Sequence, residues 1–245
     1  MKGFLAFTII VLGTLGSYAQ TDSSFKEVAF LTQDSLRISA SYKYPELKGQ
    51  KVPAVILIHQ GRSSRKEWLA LPITNKLIQE GYAVLVYDIR LHGTSQSDGE
   101  FSDLYNNPKR APYDLQAAIG FLQQDALIDA QRIGVMGASI GGNLASVSAS
   151  SKSYGVKSVI SLSAKVSAVQ NLSGRKKKLS FKNAFYIASE GEQDGKRAAW
   201  AKDLFRLTSG ERKVVIAKGN KHGSFILKEN PSMDKDILAW FKLTL

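Results

Sequence analysis

The chain of 245 residues contains no cysteine. That excludes disulfides, the acylated cysteine of a lipoprotein, and thiol catalysis. It has no zinc-finger spacing, no aromatic RNA-binding motif and no basic-leucine pattern, which sets nucleic-acid binding aside. No period of 20 to 50 residues repeats, so a solenoid is excluded as well. Acidic residues are in short supply, 21 against 33 lysines and arginines, for a formal net charge of +12. Such a surplus favours weak attraction to anionic surfaces or polymers and carries no information about fold. The remaining balance, 44% apolar and 22% charged residues, is that of an ordinary globular protein rather than a disordered one.

The first 19 residues read as an export signal. Lys2 gives the positive start, Gly3 to Gly16 the apolar stretch, and Ser17-Tyr18-Ala19 the small residues ahead of a cut before Gln20. The apolar stretch is shorter than the roughly 20 residues that span a bilayer. A secreted or periplasmic location is expected, with no stable membrane insertion once the signal is removed; an uncleaved membrane anchor is the alternative reading. The mature chain would lose one lysine and keep a charge of +11. Export without cysteine suits a bacterial envelope better than a disulfide-rich secretome.

Residues 20–245 read as one domain. Glu27 to Leu31 and Leu36 to Tyr44 have strand character around the turn Gln33-Asp34-Ser35. Strand and helix patterns then alternate, the sign of a mostly parallel sheet with helices on both faces. Val52 to Ile58, Tyr82 to Tyr87, Arg132 to Met136, Val156 to Leu162, Ala184 to Ala188 and Lys213 to Ala217 supply the further strands. Helical spacing covers Lys66 to Glu80, Tyr113 to Gln123, Ile140 to about Ser150, Lys196 to Thr208 and Met233 to Leu243. The basic run Gly174 to Lys178 reads as a solvated loop away from the chemistry.

The most informative stretch is Gly137-Ala138-Ser139-Ile140-Gly141, placed between a strand and a helix. Small residues on both sides of Ser139 permit a sharp, strained turn that lifts its hydroxyl clear of the sheet. The Ile140 backbone N–H then sits at the amino end of a helix, where the dipole favours a developing oxyanion. Further carriers are Ile58-His59-Gln60-Gly61, Tyr87-Asp88-Ile89-Arg90-Leu91-His92-Gly93-Thr94-Ser95, Gly191-Glu192-Gln193-Asp194 and Lys221-His222-Gly223. On these motifs the chain resembles the α/β-hydrolases, most of all the small dienelactone-hydrolase-like branch, over nearly the whole mature chain. It departs from that pattern at His59-Gln60, where the branch has His-Gly, and at Leu91-His92-Gly93, where it has Gly-His-Gly.

The resemblance implies an α/β-hydrolase fold with a mostly parallel eight-stranded sheet flanked by helices. It also implies a serine hydrolase with an acyl-enzyme intermediate. Ser139 is the nucleophile. His222 is the general base, since the chain order serine, acid, histidine is the one this fold uses. His59 and His92 fall in motifs that pack and hydrogen-bond loops. Asp194 is the acid by the Gly-x-x-Asp spacing, with Glu190 and Glu192 as competitors on the same loop and a helix N-cap as its alternative role. Asp88 reads as a turn residue. Ile140 and Gly61 are the oxyanion donors, with Gln60 and Arg62 as alternatives to Gly61. No metal or organic cofactor is implied.

The segment between Lys165 and Asn183 is too short for a large cap. The pocket would be built from Gln60 to Lys66, His92 to Lys109 and Lys165 to Leu179, and would favour small-molecule esters with short acyl groups. Arg62, Arg65, Lys109 and Arg110 in or beside these loops would favour carboxylate-bearing esters. Three alternatives remain open at this point: a peptidase-like acyl hydrolase, a non-catalytic envelope binding protein of the same fold, and a surface-binding protein acting through its +11 charge.

Overall fold

The computed structural model describes residues 24–46, 49–174 and 179–245. The expected signal, its cut before Gln20 and the lysines of the basic run lie outside the described residues. The apolar runs become strands: β1 (Lys26–Leu31), β2 (Arg37–Lys43), β3 (Val52–Ile58), β4 (Ala83–Tyr87), β5 (Ile128–Ala138), β6 (Ser158–Leu162), β7 (Phe181–Ser189) and β8 (Thr208–Ala217). They form one eight-stranded sheet in the order β1-β2-β4-β3-β5-β6-β7-β8. β1 and β2 are antiparallel, β2 pairs antiparallel with β4, and every other pairing is parallel.

Parallel strands covered on both faces are mostly apolar, which is why β3 and β4 read as hydrophobic runs; β6 buries Ser158 and Ser161 among its apolar residues, each with a hydrogen-bonded hydroxyl. Alternate side chains of β3 serve opposite layers. Ala54, Ile56 and Ile58 pack with the helices α4 (Ala111–Gln124), α5 (Ile140–Ala149), α6 (Val166–Leu172) and α7 (Lys196–Arg206). Val55 and Leu57 pack with α1 (Lys66–Leu69), α2 (Pro72–Gln79), α8 (Phe225–Glu229) and α9 (Met233–Thr244). A short helix, α3 (Asp103–Asn106), completes the set.

The single helix expected over Lys66 to Glu80 is two helices. Pro72 has no N–H to donate and disfavours helical backbone in the residue before it. Leu71 accordingly turns extended, at φ −94° and ψ 135°, and Pro72 opens α2 at its first position. The stretch after Lys165, expected as loop, contains α6, whose buried Ala168, Val169 and Leu172 lie three and four residues apart. Among the described residues nothing larger than α6 separates β6 from β7, and no helix is long and apolar enough to cross a membrane.

Buried charge ties the edge hairpin to the loop after β4. The Arg90 guanidinium is inaccessible to solvent, donates to both carboxylate oxygens of Asp34 (2.7 and 3.0 Å) and lies 2.7 Å from Asp114 at its other edge. The hydrogen bond from Arg90 holds the Asp34 carboxyl down at about 2.

Candidate active site

Ser139 sits between β5 and α5 with φ 53° and ψ −109°, a conformation that costs a non-glycine residue energy. The turn is possible only because its flanks are bare. A Cβ on Gly137 would lie 2.2 Å from the Gly141 carbonyl oxygen, and one on Gly141 would lie 2.2 Å from the Ile58 carbonyl oxygen. The Ser139 N–H donates to Leu162 O at 2.8 Å, and its carbonyl accepts from the Asn143 N–H at 2.8 Å. Ser139, Ile140 and Gly61 line one cleft of about 390 Å³ together with Arg62, Phe101, Tyr105, Asn143, Lys165 and Arg197.

The backbone donors around that cleft can be told apart by what they already bond. The Arg62 N–H donates to His92 Nε2 at 2.9 Å, so it is occupied. The Gln60 backbone faces the buried Glu67 carboxyl, which burial holds above its ordinary pKa. Gly61 and Ile140 have no N–H partner among the described residues. Both motif histidines are fixed in one tautomer by the loops they pin. His59 Nε2 accepts from the Ile89 N–H (3.0 Å) and its Nδ1 donates to Gln60 O (2.7 Å); burial lowers its pKa to about 4, so it is neutral. His92 accepts from Arg62 at Nε2 and donates from Nδ1 to Arg90 O at 3.0 Å.

His222 is different. Its Nδ1 lies 2.5 Å from a carboxylate, and its Nε2 has no partner among the described residues. The loop that carries it is docked against the elbow through Gly223. A Cβ there would lie 3.3 Å from that of Ala138 and 2.2 Å from Gln60 Oε1. The Gly223 N–H donates to Ser163 Oγ at 2.9 Å.

The carboxylate on His222 belongs to Glu192, not to Asp194. Glu192 is buried, and its other oxygen accepts the Ser163 hydroxyl at 2.7 Å. Gln193, Asp194 and Gly195 all take left-handed backbone, with φ of 49°, 54° and 81°, and so turn the chain back into α7. That reversal leaves Asp194 exposed two residues past the carboxylate that meets the imidazole. Asp194 does not cap α7 either, since the N-cap position is Gly195. Glu190 is exposed and accepts from the Gly219 N–H at 3.4 Å.

Two residues that the motifs did not single out complete the cluster. Ser163, left-handed at φ 51° after β6, links the Gly223 N–H to Glu192. Arg197, at the start of α7, brings Nε to 3.1 Å from the same Glu192 oxygen that meets His222, and its Nη1 donates to Ser163 O at 2.5 Å. A buried carboxylate needs compensating charge and hydrogen bonds, and these two supply them. The sequence signal for Arg197 was a basic residue in the first turn of a helix, where the dipole disfavours a cation unless a carboxylate is near.

Of the basic residues expected to face substrate, Arg65 is taken up by Asp88 and Glu27, and Arg110 by Asp98. Arg62 lines the cleft, and Lys165, which the sequence reading did not include among them, joins it there. Among the described residues no group of three or more histidines and carboxylates is placed to hold a metal ion.

A mostly parallel eight-stranded sheet with a serine on a strained strand-to-helix turn defines an α/β-hydrolase of the esterase and peptidase type. The chain belongs to the X-Pro dipeptidyl-peptidase (S15) family, whose model matches residues 34–221. It is 30% identical over 122 residues to a thiohydrolase of Aspergillus aculeatus, an alignment covering 49% of this chain and 36% of that one. The curated relatives it matches are longer proteins, of which it spans 35% to 41%. Among solved structures, it superposes on an esterase of Pyrococcus furiosus with a TM-score of 0.69 at 18% identity, covering 90% of this chain and 92% of the esterase. An acetyl xylan esterase from Paenibacillus sp. R4 gives a TM-score of 0.70 at 17% identity, covering 94% and 86%.

Proposed function

We propose that the protein is a serine hydrolase of carboxylic esters and related acyl compounds, working through Ser139, His222 and Glu192. The observation that carries this reading is the 2.5 Å contact between His222 Nδ1 and Glu192 on a loop packed beside Ala138. A serine hydroxyl is a weak nucleophile until a base removes its proton. Glu192 fixes the imidazole with Nδ1 as donor, which leaves the Nε2 lone pair for Ser139. Ser139 Oγ attacks the carbonyl carbon as its proton passes to His222. The Ile140 and Gly61 N–H groups receive the oxyanion. Collapse expels the alcohol, which takes the proton from His222. A water deprotonated by the same imidazole then attacks the acyl-enzyme and releases the acid.

Labelling with a fluorophosphonate tests the nucleophile directly. The expected result is one adduct, mapped by peptide mass to Ser139 and absent from Ser139→Ala. An adduct elsewhere, or none, refutes the assignment. The cleft of about 390 Å³ also limits the acyl group. Each methylene left outside forgoes roughly 0.8 kcal/mol of burial, so kcat/KM for 4-nitrophenyl esters should level off or fall beyond about four acyl carbons by that accounting. A steady rise to long chains would contradict it.

Family membership favours a second reading, hydrolysis of peptide bonds, with the same serine forming the acyl-enzyme. Release of dipeptides from a peptide N-terminus calls for a group that holds an ammonium. Among the described residues no carboxylate lines the cleft beside Ser139, which is why the ester reading is preferred.

A further inference from the structure

We infer that the cleft beside Ser139 is an anion subsite, in which Arg62 and Lys165 select acyl substrates that carry a carboxylate. The inference rests on the acyl-hydrolase reading above and adds the substrate class to it. Among the described residues, three cationic side chains, those of Arg62, Lys165 and Arg197, line the cleft, against no aspartate or glutamate. Arg197 is already paired with Glu192 and donates from Nη1 to Ser163 O. Arg62 and Lys165 have no carboxylate within ion-pair distance among the described residues, whereas Arg65, Arg90 and Arg110 all do.

Both free cations are anchored where they stand. Arg62 is held in left-handed backbone, φ 60°, by its N–H bond to His92, with the guanidinium 5.9 Å over the Phe101 ring. Lys165 donates its backbone N–H to Asn143 Oδ1 at 2.8 Å, and its ammonium lies 5.8 Å from the Trp200 ring centre. A concave wall of one sign, backed by a low-dielectric interior, concentrates anions and repels ammonium groups. A guanidinium offers a carboxylate two parallel hydrogen bonds, and an ammonium adds a point charge. Because both side chains belong to exposed residues, water weakens the pairing and the expected preference is moderate.

The matched pair for the test is 4-nitrophenyl hydrogen glutarate and 4-nitrophenyl pentanoate, equal in chain length and different in terminal charge. At low salt kcat/KM for the glutarate should exceed that for the pentanoate by about tenfold, the effect of one charge-assisted hydrogen bond. Raising salt to about 0.5 M should shrink the ratio through screening. In Arg62→Gln and Lys165→Gln the ratio should fall towards one. A wild-type ratio of one or less, or a ratio that neither replacement lowers, overturns the inference. Binding can be followed without turnover, because Trp200 is only partly buried while Trp68 and Trp240 are buried. Glutarate should give a saturable change in tryptophan emission in Ser139→Ala, and Lys165→Gln added to it should abolish that change. If Ser139 takes no fluorophosphonate and neither ester is cleaved, the acyl-hydrolase reading fails by itself; the emission titration still decides the subsite, and no saturable change overturns it.

Discussion

Glu192→Gln is expected to lower kcat on 4-nitrophenyl acetate by a factor on the order of 10⁴, the effect of the corresponding change in a well-studied triad. Glu192 performs several tasks at once. One oxygen accepts from His222 and lies beside Arg197, while the other accepts the Ser163 hydroxyl. A neutral amide removes the charge that stabilises the imidazolium and leaves a buried guanidinium uncompensated. It also offers an N–H where an acceptor is needed, which favours the wrong imidazole tautomer. Fluorophosphonate labelling should slow in parallel, because nucleophile activation is the step affected. Asp194→Asn is the control on the same loop. Asp194 is exposed, so its replacement should leave turnover near wild type. A crippled Asp194→Asn together with an active Glu192→Gln would return the role to Asp194.

Arg90→Met is expected to cost about 3–5 kcal/mol of unfolding free energy in urea, the usual result of removing one partner from a buried ion pair. The loss comes from what stays behind. Asp114 is fully buried, and both of its oxygens depend on Arg90, one through the side chain and one through the backbone N–H. Arg90→Met with Asp114→Leu should recover much of the loss, since apolar replacement of a whole buried pair is often neutral. A single variant as stable as wild type would show that the cluster contributes nothing. For Asp34 the pH dependence has a defined sign, opposite to that of Asp114, whose carboxyl burial raises to about 6. Asp34 is depressed from 3.8 to about 2 in the fold, so its contribution is present above the unfolded value and is lost as pH falls through about 2. That acid-side dependence should disappear in Arg90→Met.

The parallel sheet and the strained turn that carries Ser139 were legible because they are written in local pattern. Unbroken runs such as Val52–Ile58 and the Gly-x-Ser-x-Gly turn each carry their own steric reason. Which carboxylate meets His222 was not legible. The three candidates lie within five residues, and the choice among them turns on left-handed backbone at Gln193 and Asp194, which ordinary residues in a loop do not announce. Ser163 and Arg197 act across 34 residues of sequence, a separation that periodicity and spacing do not report. The broken helix at Pro72 was readable from the proline alone, but the apolar spacing ran through it and outweighed it.

The Arg90 cluster has a consequence for how the molecule opens. Asp34 belongs to the turn of the β1–β2 hairpin, Arg90 to the loop that presents His92, and His92 in turn holds Arg62 at the mouth of the cleft. Ser95 of the same loop donates to Asp88 O and accepts from the Ser39 N–H. An edge hairpin would ordinarily fray by itself, at low cost and often. Here fraying at Asp34 exposes a buried guanidinium, so hairpin and loop should open together rather than separately. The edge of the sheet on the far side of β2 and β4 from Ser139 is thereby tied, through Arg90 and His92, to the residue at the cleft's mouth.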